Sequence, residues 1–112
     1  MNTLDTIVDA INRHKSISYQ YISDKNPSYG ERRGDPYVAY VYTDISGHST
    51  TKIDIFQVSG ASSKNQLSQV KMSDLANFRD IQILEDEPEF TINPIAEYKP
   101  ESERYKSVIA KV

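Results

Sequence analysis

Residues 36–62 read PYVAYVYTDISGHSTTKIDIFQVSGAS, and the way this stretch divides decides the fold. PYVAYVYT is apolar on both faces, as expected of a central strand in a small closed sheet. DISGHST reads as a hairpin loop, and TKIDIFQV as the strand that answers it. The polar run SGASSKNQLSQ then interrupts the pattern. Ser59-Gly60 has three possible meanings: a nucleophile on a sharp turn, a phosphate-cradling corner, or the end of a strand. A nucleophile elbow at Ser59 or Ser62 needs Gly-x-Ser-x-Gly between a strand and a helix, with His and acid partners. FQVSGAS lacks the first Gly and no helix pattern follows it. His14 reads as closing a helix and His48 as decorating the hairpin. A phosphate loop needs more glycine and a following Lys-Ser/Thr before a helix N-terminus. The strand-end reading is left, with Phe56 packed inward, Gln57 bonding backbone at a barrel corner and Gly60 letting the chain turn.

Upstream, Leu4, Ile7, Val8 and Ile11 form one helical stripe, which predicts a helix over about residues 3–14. Asn2 or Thr3 can cap it, Asp5 suits its first turn, and Arg13, His14 and Lys15 suit its last. At Ser16 the period changes to two: Ile17, Tyr19 and Tyr21 alternate with Ser16, Ser18 and Gln20, a half-buried strand. SDKNPSYGERRGDP is turn chemistry throughout. Downstream, KMSDL predicts a short strand, ANFRD a turn and IQIL a last barrel strand, which the acidic EDEPE ends. SVIAKV is a final strand that either returns to its own sheet edge or adds to a neighbour's. The expectation is one domain over 1–112: helix, barrel over about 16–90, and a C-terminal extension, 91–112. In class it is mainly β (α+β), a small barrel of about five strands preceded by one N-terminal helix, with an open meander packed on the helix as the competing layout.

Composition narrows the function. The chain has 112 residues, a net charge of −3 and no Cys, which removes disulfides, thiol nucleophiles and thiolate metal sites. An acidic balance is a handicap for general nucleic-acid affinity. No apolar run approaches membrane-spanning length and MNTLDTIVDAI is not a signal segment, so a soluble cytoplasmic protein without membrane contact is expected. The dense acids Glu85, Asp86, Glu87 and Glu89 lack a supporting His and read as a solvated strand terminator, so no metal or cofactor is expected. One helix without a partner helix also does not make a DNA-reading helix-turn-helix.

The order of these signals resembles a known family. The helix, ISYQYIS, GERRGDPY, FQVSGAS, KMSDLANFRDIQIL and EDEPEF together are similar to a WYL domain, in particular its small stand-alone members. Those carry an aromatic-Gln-x-Gly-Gly-x-Ser segment before a Trp-Lys-x-Phe-Arg-x-Asp-Arg strand. The family's closing turn and strand would correspond to Tyr98-Lys99 and SVIAKV. The resemblance implies an SH3-like or Sm-like barrel and a ligand-sensing role beside bacterial transcription regulators. It also implies that the family's basic Arg-x-Asp-Arg positions fall here on Asp74, Ala76 and Asn77, and its Trp on Val70. Asp74 repels a phosphate where Arg would bind one. Arg33 before Pro36, with Arg32 beside it, keeps the family's Arg-x-x-Pro pattern.

Arg32, Arg33 and Tyr37, with His48 and Lys52 on the adjoining hairpin, form the best basic-plus-aromatic cluster for an anion or a stacked base. The plainer reading is a solvated loop whose arginines pair with Glu31 or Asp35. The first functional expectation is a non-catalytic binding module for a nucleotide, a short single-stranded nucleic acid or another anion. The alternative is a protein-interaction module of the kind a phage or mobile element encodes, monomeric or homodimeric, acting through an edge strand or its acidic surface.

Overall fold

The structure, a computed structural model, describes residues 2–22, 30–60, 70–94 and 98–112. Helix α1 spans Thr3–Arg13. The Asn2 side chain caps it, accepting from the Asp5 backbone N–H at 2.8 Å. His14 closes it in the left-handed region, φ 55, and its ring stacks on Phe90 at 5.5 Å. Of the apolar stripe, Ile7 and Ile11 are fully buried, together with Ala10.

Six strands follow: β1 (Ile17–Tyr21), β2 (Arg32–Thr43), β3 (Ser49–Gly60), β4 (Val70–Asp74), β5 (Phe78–Ile83) and β6 (Ser107–Lys111). All pairings are antiparallel, in the order β4-β3-β2-β1-β5, with β6 added against β2. β4 and β5 are the outermost strands of that path, yet only a 3-10 turn, Leu75–Asn77, separates them in the chain. The sheet must therefore curl so that its two outer strands approach each other at that turn. Tyr21 joins the ends: its hydroxyl accepts from Asp74 N at 2.9 Å and from Asn77 Nδ2 at 3.4 Å.

Two boundaries differ from the sequence reading. The RRGDP segment, read as turn, is the first part of β2 and lies across from residues 55–60 of β3. Gly and Pro are tolerated there because the ladder bulges twice, between Arg33 and Gly34 and between Pro36 and Val38. The expected turn ANFRD is shorter than predicted, since β5 already begins at Phe78. Its irregular element is a bulge at Asp80, φ 53, where two residues of β5 oppose one of β1. SVIAKV returns to its own sheet as β6.

β2 is apolar on both faces because each face has its own core. On the inner, helix-covered face of the sheet, Ala39, Ile53 and Ile55 pack with Ile17, Tyr19, Phe78 and the helix residues Ile7, Ala10 and Ile11. On the outer face Tyr37, Val38, Tyr40 and Phe56 pack with Phe90 and Tyr105, with Tyr98 against them. The bulge at Tyr37 sends two successive residues, Tyr37 and Val38, to this outer core. The C-terminal segment is thus the cover of the sheet's outer face, anchored where β6 pairs with β2.

Candidate functional site

The five residues singled out from the sequence do not converge. Arg32 is 2% exposed, bonds the Tyr21 carbonyl at 3.3 Å and lies over the Tyr21 ring. Gly60 is what lets Arg32 sit there, because a Cβ at Gly60 would come within 2.6 Å of the Arg32 Cα. Arg33 forms an ion pair with Glu87, not with Glu31 or Asp35. Tyr37 is fully buried, stacks on Phe56 and accepts the Asn93 N–H at 3.1 Å, so its ring is not available to stack a base. Lys52 is paired with Asp74, so one candidate cation is neutralised. His48 lies on the exposed hairpin, beyond the Thr43–Ser49 end of a ladder whose other end is Arg32–Gly60. Eleven residues along β2 separate those ends, roughly 35 Å of strand.

The acidic turn after β5 is also more than a solvated terminator. Glu85 pairs with Arg13, Glu87 with Arg33, and Lys15 Nζ donates to the carbonyls of Glu85 and Glu87. These partners are largely exposed, so the pairs orient the turn more than they stabilise it. Ser59 lies in β3 opposite Arg33, and its carbonyl accepts from Gln57 Nε2 at 3.3 Å, which gives Gln57 the expected backbone contact. Ser62 lies outside the described residues. No group of three or more His, Asp or Glu able to hold a metal forms among the described residues. Among them, no helix is long and apolar enough to cross a membrane.

A different cluster stands out on the outer face. Asp54, from β3, is 0% exposed, and its carboxylate collects three donors. The Tyr40 hydroxyl donates to Oδ1 at 2.8 Å; the Tyr105 hydroxyl and Arg104 Nη2 donate to Oδ2. Arg104 Nη2 also reaches the Tyr105 hydroxyl at 3.0 Å, and the guanidinium lies 5.1 Å from the Tyr105 ring centre. A carboxylate this deep is tolerable only with such a set of charge-assisted bonds. Burial, and then donation to Asp54, pushes the Tyr105 hydroxyl up to about 12 and raises Tyr40 further in the same direction. Across the molecule, burial likewise raises Asp35, against the opposing bond from Ser16 Oγ at 2.6 Å.

Arg104 faces two ways. On its outer side a groove of about 430 Å³ runs between the end of β2 and the segment that enters β6. Tyr42 and Thr43 line it from β2; Glu103, Arg104, Lys106 and Ser107 line it from the other side. The bonds of Arg104 to Asp54 and Tyr105 run through Nη2 alone, and its side chain is 39% exposed. Among the described residues Lys106 has no ion pair. The groove therefore offers an anchored guanidinium, an ammonium outside any ion pair of the described residues, two hydroxyls and an aromatic wall, with Glu103 the one opposing charge.

Sequence reasoning missed Asp54, Arg104 and Lys106. The one available signal was Asp54 itself, a lone acid inside the apolar run IDIFQ, which needs a cationic or hydroxyl partner if both faces of β3 are covered. Nothing in ESERYKS said that the partner would come from there. No known protein-family model, curated protein or solved structure matches the chain.

Proposed function

We propose that this protein is a non-catalytic binding module that takes a small anionic ligand, of the nucleotide or short single-stranded nucleic-acid class, in the groove between β2 and residues 103–107. The observation that carries this reading is the convergence of Arg104 and Lys106 on a groove walled by Tyr42. A guanidinium fork and an ammonium suit phosphate oxygens, and a tyrosine face suits a base. The volume lies at the lower end of the range for small-ligand sites, enough for one nucleotide unit at a time. The resemblance to WYL domains supports the same ligand class, with the site moved away from Arg32 and Arg33.

The protein-pairing alternative has less support along β6. Val108 and Ile109 are partly exposed there, 38% and 42%, but Ile109 is the extra residue of a bulge and Lys106 and Lys111 flank the strand. Bulges and lysines are the usual means of discouraging an edge from accepting another strand.

Fluorescence anisotropy with labelled mononucleotides and short oligonucleotides, at two salt concentrations, tests the proposal. Lys106→Ala is expected to weaken binding about fivefold and to flatten the salt slope by roughly one charge, whereas Arg33→Ala leaves both unchanged. Binding that ignores Lys106 and collapses on Arg33→Ala would return the site to the other end of β2. An absence of binding to any of these probes would end the reading.

A further inference from the structure

Arg104, the guanidinium of the groove, already holds a buried carboxylate. Asp54 is fully buried behind Arg104 and is not itself among the residues that line the groove. Its three donors come from two different parts of the chain: Tyr40 from β2, and Arg104 and Tyr105 from the segment that covers the sheet. One wall of the groove is that same segment. Resting on the groove reading, we infer that Asp54 is a positioning residue for anion binding: with Tyr40 and Tyr105 it fixes the Arg104 guanidinium at the groove wall, and so couples ligand binding to docking of residues 98–112 on the sheet.

Asp54 acts on the groove through the orientation of Arg104. A free arginine loses side-chain entropy on clamping an anion, and a guanidinium already held at Nη2 has lost part of it beforehand. The remaining donors of the planar fork then point in a fixed direction away from Asp54. The Tyr105 ring under the guanidinium restricts it further. Because Arg104 and Lys106 both belong to the covering segment, an anion that bridges them and the β2 wall binds only the docked arrangement. By linkage it must also stabilise that arrangement.

This role predicts a sign opposite to simple electrostatics. Asp54→Asn removes a negative charge adjacent to an anion site, and Coulomb attraction alone would then strengthen binding. If Asp54 positions Arg104, the same substitution weakens it.

Adenosine 5′-monophosphate and inorganic phosphate are titrated against the full chain, Asp54→Asn, Tyr105→Phe and Lys106→Ala at low ionic strength. Amide hydrogen exchange is followed with and without the nucleotide. Asp54→Asn is expected to weaken the nucleotide about tenfold, the scale seen when a group orienting a ligand-holding side chain is removed. Tyr105→Phe, which keeps the Asp54 charge and removes one hydroxyl that both donates to Asp54 and accepts from Arg104, is expected to weaken it by a smaller factor. Nucleotide is expected to slow exchange in residues 104–111 while leaving β1 unchanged. Unchanged or tighter binding by Asp54→Asn, with Lys106→Ala still weakened, overturns the positioning role and leaves the groove reading standing. If Asp54→Asn does not fold, Tyr105→Phe decides in the same way: undiminished binding overturns the inference. Failure of the unmodified chain to bind either probe overturns the groove reading and this inference together.

Discussion

Replacing Asp54 with alanine leaves two hydroxyls without their acceptor inside a packed outer core. Tyr40 is 0% exposed and has no route to water, so its hydroxyl bears the full cost of an orphaned buried donor, about 1–3 kcal/mol. Tyr105 is 8% exposed and reaches some water, so its loss falls at the lower end, about 1 kcal/mol. The Arg104 side chain is 39% exposed and rehydrates, which keeps its contribution within the range of surface pairs, below about 1 kcal/mol. Removing a carboxylate that had to be desolvated offsets part of this total. The expected net loss is therefore about 2–4 kcal/mol, a large share of the roughly 5–15 kcal/mol that holds a small domain together. Urea denaturation followed by tyrosine fluorescence reads it as a midpoint lowered by about 1–2 M. Tyr105→Phe in the same background should then cost much less than it does alone, since its main partner has gone; the coupling is expected to exceed about 0.5 kcal/mol. A loss below about 1 kcal/mol, or strictly additive effects, would refute the view that this cluster ties the C-terminal segment to the sheet.

Two further outcomes follow from the same structure. Gly60 has φ 103, and a Cβ there would lie 2.3 Å from the Glu31 carbonyl oxygen, whereas Gly47 has φ 86 and open space around it. Gly60→Ala is expected to cost about 3 kcal/mol or more, with a Tm lowered on the order of 10 °C, and Gly47→Ala only about 1 kcal/mol; equal losses would show that the close approach at Gly60 does not matter. The tyrosines set the alkaline limit. Tyr105 is pushed up to about 12 by burial and by its bond to Asp54, and Tyr40 and Tyr19 are raised further, chiefly by burial. Their neutral forms are favoured in the fold, so the stability they contribute is complete below about pH 10 and is lost as the pH rises towards 12. Absorbance at 295 nm should show the exposed phenols ionising first and the buried ones only as the fold is lost. Ionisation of all eight tyrosines in one step near pH 10, with the fold intact, would contradict this.

Much of the architecture was legible in local pattern. The 3.6-residue stripe of Leu4, Ile7, Val8 and Ile11 specified α1, and the two-residue period from Ile17 specified β1, because one face of each element must be buried. The long hairpin could be read for the same reason, and SVIAKV could be read as a strand, but the choice between its own sheet and a neighbour's stayed open until the structure paired it with β2. RRGDP could not, since its Gly and Pro signal a turn in isolation and only the bulged ladder with β3 makes them strand residues. The sites divide similarly. Sequence showed which residues carry charge, and on that basis Arg32, Arg33 and Lys52 looked like a basic surface. Whether a charge is available is decided by what the fold places beside it, and here it placed Tyr21, Glu87 and Asp74 beside those three.

By itself, then, the sequence determined the helix, the strands, the hairpin and the buried stripe of each, because these depend on neighbours a few residues apart. Tertiary structure alone decided that a C-terminal segment supplies the second cover of the sheet, and that Asp54 meets Arg104 from fifty residues away. A contact at that separation depends on how the sheet rolls and where β6 joins it, which no local periodicity encodes.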